Sequence, residues 1–303
     1  MGEKYAAVVG AVNVDIWGRS YAGLVQRDSN PGEISLSMGG VGRNIAHNMR
    51  LMGLNVQLLT ALGGDAWAQH IEQSCRETGI RLDRAIHLPE QRTSTYMCIS
   101  GPDGDMALAV CDTDIARHIT PAVIERNLDL LNAAALVVFD GNLTQEAMDC
   151  LTSRCTSPLF ADPVSAAKAV KLVPFLGRIH TLKPNAIEAA TLTGESSPLA
   201  AARSLVRAGV GRVFVSDGAN GMAAARDGES LFVPGVRARP VNATGGGDAA
   251  MAALCRAFLD GRDLAASARY ALAAGALAVE CAQTINPELS DAAVKKRLDC
   301  ATE

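Results

Sequence analysis

Asn242-Ala243-Thr244-Gly245-Gly246-Gly247-Asp248 runs directly into Ala249 to Leu259, an Ala-rich stretch with Met251, Leu254 and Phe258 on one helical face. Three consecutive glycines ahead of a helix leave backbone N–H groups free to converge on an anion, and the helix adds the positive end of its dipole. A carboxylate placed directly after such a cradle would repel a bound phosphate unless it had a task. Asp248 is therefore a candidate general base for a substrate hydroxyl. A tight turn capped by Asp248 is the competing reading, because Gly-rich helix starts also recur for steric reasons.

Upstream, Asn220-Gly221 and Asp227-Gly228 punctuate three short apolar runs at hairpin spacing, which predicts an antiparallel edge. Further back, strand-like runs at Ala6 to Val12, Val56 to Ala61, Leu136 to Phe139, Leu159 to Ala161 and Arg212 to Val215 alternate with helical stretches at Asn44 to Leu51, Gln69 to Glu77 and Gln145 to Leu151. That alternation predicts an α/β fold with a mostly parallel, helix-covered sheet. Val14 to Met38 and Arg92 to Cys111 alternate polar and apolar residues around Asn30-Pro31-Gly32 and Asp103-Gly104, and read as a small β-sheet lid. Downstream, Leu264 to Cys281 reads as a second Ala-rich helix. No linker, repeat or low-complexity tract divides the chain, so one elaborated domain is expected.

With 303 residues, 49% of them apolar, the chain can bury a large core. A formal charge of −4 without Lys/Arg clusters gives no footprint for nucleic acid or an anionic membrane. The apolar run Ala271 to Val279 is too short to span a bilayer, and the N-terminal run is interrupted by Asn13 and Asp15, so a soluble cytoplasmic protein is expected. Eight cysteines without a Cys-x-x-Cys pair read as reduced thiols, and five histidines show no metal-ligand spacing.

A second glycine-rich stretch, Gly39-Gly40-Val41-Gly42-Arg43-Asn44, precedes Gly53 and Gly63. It is not a dinucleotide fingerprint, since Ile45 stands where the third glycine belongs, and no Gly-Lys-Ser/Thr supplies a Walker loop. Alone this motif is weak. Taken with the Gly245 to Asp248 stretch, however, it resembles the amino-terminal signature of the ribokinase-like (PfkB) kinases at every glycine and at Asn44, and the later stretch resembles their carboxyl-terminal signature. Asn13 and Asp15, Lys183-Pro184-Asn185-Ala186-Ile187-Glu188, and Ser216-Asp217-Gly218 with Gly221 match in the same order.

The resemblance implies a single kinase domain over residues 1–303, with a three-layer α/β/α core and lid segments at about 14–38 and 92–111. It implies transfer of a phosphoryl group from ATP, with Asp248 taking the proton and Gly245, Gly246 and Gly247 forming the anion hole. Asn185 and Glu188 would hold magnesium through its water shell. Ser216, Asp217, Gly218, Gly221 and Thr244, with Gly245 and Gly247, would line the nucleotide. Asp15 and Asn44, helped by Asn13 and the Gly39-Gly40 backbone, would hold ribose hydroxyls. Family lids often pair between protomers, so a homodimer is expected.

Asn142 stands where many sugar kinases of this family place a glutamate, and Asn242-Ala243 departs from a loop that commonly binds potassium, which stays a candidate cofactor beside ATP and magnesium. The Asp28 to Gly32, Gly39 to Ala46, Asp162-Pro163-Val164-Ser165 with Lys168, and His180 to Asn185 segments look most like the pseudouridine-specific branch of the family. That implies a small nucleoside substrate phosphorylated at its 5′-hydroxyl. Its N1–H calls for an acceptor from Ser29, Asn30 or Thr95, and Lys168 is a candidate for a base carbonyl or a phosphate. Another ribosyl or sugar substrate, a non-catalytic regulator on the same fold, and a dinucleotide oxidoreductase are the alternatives.

Overall fold

The computed structural model describes residues 4–242 and 244–300. Its strands are β1 (Ala6–Val9), β2 (Asn13–Ser20), β3 (Gly32–Gly39), β4 (Val56–Leu59), β5 (Ala61–Gly63), β6 (Ile86–Leu88), β7 (Thr95–Ser100), β8 (Met106–Asp112), β9 (Val137–Asp140), β10 (Leu159–Asp162), β11 (Thr181–Leu182), β12 (Arg212–Ser216), β13 (Gly221–Arg226) and β14 (Glu229–Pro234). Its α-helices are α1 (Val41–Leu51), α2 (Ala66–Thr78), α3 (Pro121–Arg126), α4 (Leu128–Ala133), α5 (Gln145–Arg154), α6 (Ala166–Ala169), α7 (Ala186–Thr193), α8 (Pro198–Arg207), α9 (Gly246–Leu259), α10 (Leu264–Val279) and α11 (Asp291–Cys300).

The eight-stranded sheet runs β14-β13-β12-β11-β10-β9-β1-β4. The strands from β12 to β4 are parallel, while β13 and β14 form the antiparallel edge that the two Xaa-Gly turns predict. Strand side chains alternate between two separate cores. Ala6, Val8, Val138, Phe160 and Phe214 pack with α1, α2, α9 and α10 on one face. Ala7, Val9, Val137, Phe139 and Ala161 pack with α3, α5 and α8 on the other. A period of two with both faces buried is what gives short strands their continuous apolar runs.

Two expected strands are shorter than their apolar runs. The first stops at Val9, where the Gly10 backbone closes against the Asp140 carboxylate and Gly42. The run from Val56 ends at Leu59, and Ala61 begins β5, which pairs with β6 in a sheet of its own. Likewise α10 ends at Val279, before Cys281. At the start of α9, Gly246 packs on Gly275 of α10: a Cβ at 275 would stand 3.3 Å from the Gly246 carbonyl oxygen.

A four-stranded sheet, β3-β2-β7-β8, stands apart from the large one. Its register puts Asp15, Ser37 and Tyr96 on one face and Ile16, Leu36 and Met97 on the other. At its base Val14 joins the core and Met38 packs against it.

Among the described residues no helix is long and apolar enough to cross a membrane, and every cysteine is a free thiol.

Candidate active site

Ligands of parallel α/β sheets bind beyond the carboxyl ends of the strands, and here that edge is charged. Asp140 closes β9 and Asp162 closes β10, facing each other across the strand pair. Lys183 follows β11, and Ser216 closes β12. Asp140 accepts hydrogen bonds from the Ala11 and Asn142 amides at 2.9 and 2.8 Å. Asp162 accepts from the Val164 amide at 2.9 Å and pairs with the Lys183 ammonium at 3.1 Å, both side chains being almost wholly buried. Val164 holds a φ of 70°, an uncommon conformation for a β-branched residue and one that clusters at functional sites.

The start of α9 sits over this edge. Gly245 adopts a φ of 87°, and no side chain caps the helix. The first-turn amides are thus available to an anion. Asp248, on that turn, accepts a hydrogen bond from Asn44 Nδ2 of α1 at 3.0 Å, across 204 residues of sequence. The Asp248 carboxylate keeps part of its surface open to the cleft, but protein encloses its other sides. Its pKa is pushed up to about 7, first by desolvation and then by the Asp162 charge, against the lowering pull of Asn44 and Lys183. A base with that affinity is matched to proton abstraction near neutrality.

Asp15 lies at the base of the small sheet, its carboxylate against the Gly39 backbone, where a Cβ would overlap it. Burial raises its pKa to about 6, opposed by Arg43. Arg43 is itself buried and donates to the Met38 carbonyl and Ser74 Oγ, both at 2.6 Å. Asn13 accepts from Ser94 Oγ at 2.8 Å, and Gly40, with a φ of 90°, packs on the Ala11 to Asn13 backbone. Asn44 Oδ1 is buried with no protein partner, an acceptor suited to a substrate hydroxyl.

Asn185 and Glu188 form a capping box at the start of α7. Glu188 Oε2 accepts from the Asn185 amide at 2.9 Å, and Asn185 Oδ1 accepts from the Glu188 amide at 2.8 Å. Burial raises the Glu188 pKa. Ser216 is bridged to this segment, its amide donating to the Pro184 carbonyl at 3.0 Å. The turn that follows is closed by the Asp217 amide on the Gly221 carbonyl, with positive φ at Gly218 and Gly221. Thr244 donates its amide to Asn242 Oδ1 at 2.9 Å; Ala243 lies outside the described residues. Lys168 donates to Asn142 Oδ1 at 2.6 Å.

The three base-reading candidates are not brought to the Asp15 face. Strand register puts Thr95 beside Val14, on the opposite face, where its hydroxyl donates to the Thr93 carbonyl. Asn30 is spent on its own loop, bonding the Val25 amide and the Val25 and Asp28 carbonyls. Asn30 and Asp28 line a cavity of about 390 Å³ with Ile16, Gly18, Ile34 and Met97 of that opposite face; Ser29, between them, is exposed. Sequence reasoning in turn assigned no role to Asp140, Asp162, Lys183 or Arg43. The available signal was, for Asp140 and Asp162, a carboxylate closing each of two apolar runs.

A model of the pfkB family of carbohydrate kinases matches residues 3–291. The chain belongs to this family. Among curated relatives, the pseudouridine kinase of Escherichia coli (strain K12) is 36% identical over 302 residues, covering 97% of this chain and 96% of that protein. Among solved structures, a carbohydrate kinase from Agrobacterium tumefaciens superposes with a TM-score of 0.89 at 28% identity, covering 99% and 98% of the two chains. An Arabidopsis thaliana ribokinase complexed with ribose and ATP gives 0.83 at 22% identity, covering 97% and 98%. This kinase thus has the ribokinase-like fold, a three-layer α/β core with a small separate sheet, and is a phosphotransferase acting on a hydroxyl group of a sugar or nucleoside.

Proposed function

We propose that this kinase transfers the γ-phosphoryl group of ATP to the 5′-hydroxyl of pseudouridine. The reading rests above all on Asp248, a carboxylate at the uncapped start of α9, held by Asn44 from the other glycine-rich motif. Asp248 takes the hydroxyl proton while the Gly245 to Gly247 amides receive the phosphoryl group. Phosphoryl transfer asks a protein mainly for positioning and charge stabilisation. The nucleotide lies along the Ser216 to Gly221 turn and Thr244. Glu188 and Asn185 would hold magnesium, which when bound would supply further charge neutralisation. The capping box leaves Glu188 Oε1 outside the reciprocal pair, and few direct protein ligands suit an ion that keeps its waters. Asn242 spends both ends of its amide on Thr244 and Ala282, which favours activity without potassium.

Ribose falls to Asp15, Asn13, the Gly39-Gly40 backbone and Asn44. Within one subunit, the Lys168–Asn142 pair is the group proposed to meet the base. The pseudouridine assignment takes its support from the 36% identical relative. ADP release with magnesium-ATP, comparing pseudouridine, uridine, adenosine and ribose, tests it. Pseudouridine should be turned over fastest; a preference for another acceptor overturns the substrate assignment, and no turnover with any overturns the kinase reading.

The activity should also titrate. Since Asp248 works ionised and its pKa is about 7, kcat should fall below neutrality by close to tenfold per pH unit, reaching about 100-fold at about pH 5. A flat profile between those limits excludes Asp248 as the base.

The small sheet carries a second proposal, a homodimer. Ile34 (76% exposed), Leu36 (53%), Leu108 (59%) and Val110 (62%) share the face opposite Asp15, a row that a lone protein rarely leaves in water. Sedimentation should give a dimer, and Leu36→Asp with Leu108→Asp a monomer. In such a dimer the Ser29-Asn30 loop faces the other subunit.

A further inference from the structure

Lys183 is an ammonium in a place where ammoniums are rare. The residue is 4% exposed, and its charge is balanced directly by Asp162 at 3.1 Å. Burying an ion pair is costly unless geometry or function repays it. A plain strap between β10 and β11 could be built more cheaply from apolar side chains, such as their neighbours Phe160, Ala161 and Leu182. The ammonium also borders the cradle: a Cβ built on Gly247 would stand 3.5 Å from Lys183 Nζ. Gly247 itself is exposed, on the uncapped first turn of α9. Around the same edge stand four carboxylates, Asp140, Asp162, Glu188 and Asp248, of which Asp162, Glu188 and Asp248 each act on Lys183. A phosphate entering there meets the uncapped first turn of α9, several negative charges and this cation.

Resting on the kinase reading above, we infer that Lys183 is a further catalytic residue: clamped by Asp162, its ammonium forms the positive wall of the Gly245 to Gly247 cradle and touches the phosphoryl group in transfer. The bond from phosphorus to the ADP oxygen breaks, its electron pair leaving on ADP, as the bond to the acceptor oxygen forms. The hydroxyl proton goes to Asp248. Lys183 exchanges no proton; it offsets the charge on the equatorial oxygens, which Gly247, lacking a side chain, leaves open to it. A second effect follows from the same geometry, because Lys183 favours the ionised form of Asp248 and Asp162 opposes it.

The test uses full-length Lys183→Met and Asp162→Asn. In Lys183→Met, kcat should fall by about 100-fold or more with the nucleoside KM changed less than about threefold. The acid limb of its pH profile should move to higher pH. In Asp162→Asn, the near-isosteric change removes a negative neighbour of Asp248, and the limb should move to lower pH. A purely structural pair predicts lower thermal stability with kcat and affinity for a phosphoryl mimic unchanged, and that result overturns the inference. So does a Lys183→Met enzyme with kcat within about threefold of wild type. If Lys183→Met does not fold, Lys183→Gln decides by the same kcat criterion. ADP with aluminium fluoride, a mimic of the transferring group, gives a readout independent of turnover: Lys183→Met should bind it at least about tenfold more weakly, and equal affinity overturns the inference. A wild type active on none of the acceptors, yet losing this binding in Lys183→Met, would sink the kinase reading while leaving the cation site standing.

Discussion

Asp248→Asn should lower kcat by about 1,000-fold, within the range that general-base removal produces, while leaving the protein folded. The amide is almost the same size as the carboxylate and keeps an oxygen to accept from Asn44 Nδ2, so the link between α1 and α9 survives. What disappears is the proton acceptor. Since desolvation is the main reason the native carboxylate binds protons so tightly, a neutral amide there also relieves a burial penalty. Thermal stability should hold or rise, an outcome opposite to that of most buried substitutions. ADP release, nucleoside KM and a melting curve on one preparation check all three. A variant retaining a tenth of native kcat would show that the proton leaves by another route.

Gly245→Ala is the second large effect, and it reaches activity through the backbone. The residue sits at a φ of 87°, where an L side chain costs about 1–2 kcal/mol, and its new Cβ would overlap the Thr284 carbonyl. Neither strain can relax without moving the first turn of α9. The amides then no longer converge, and losing one such donor typically costs ~10²–10³ in rate. Gly245→Ala should therefore melt earlier and lose at least about 100-fold in kcat. Gly247→Ala is the internal control: its Cβ meets only the Lys183 ammonium, at 3.5 Å, so it should melt near the native temperature.

The parts of the molecule legible in the sequence are those in which a local pattern has one physical cause. Leu136 to Phe139 and Leu159 to Ala161 read as strands because burial on both faces leaves a continuous apolar run. Gly245 to Asp248 read as the opening of a helix, and α9 does start there without a side-chain cap, although the same glycines also suit a tight turn for steric reasons. Strand ends were less legible: nothing local at Val9 announces that Gly10 will close on Asp140, 130 residues away. The charged floor was hidden for the same reason. Asp140, Asp162 and Lys183 are single residues in separate segments, joined only by strand order. Asn185 and Glu188 match a magnesium motif and a capping box with the same two residues, and geometry displays the second use directly. Thr95 misled because a strand's polar residues do not all face one way; its register against Val14 decides its side.

Strand β2 carries Asp15 on one surface and Ile16 on the next, both held in step by pairing to β3 and β7. One residue added in β2 ahead of Asp15 would swap the positions that follow it between those surfaces, taking the carboxylate off its face and putting Ile16 there. Between β2 and β3, length can vary in the 22–30 segment, where no strand pairing is disturbed. Attempts to alter acceptor preference by lengthening or shortening the chain should therefore succeed in that segment and fail two residues into either flanking strand.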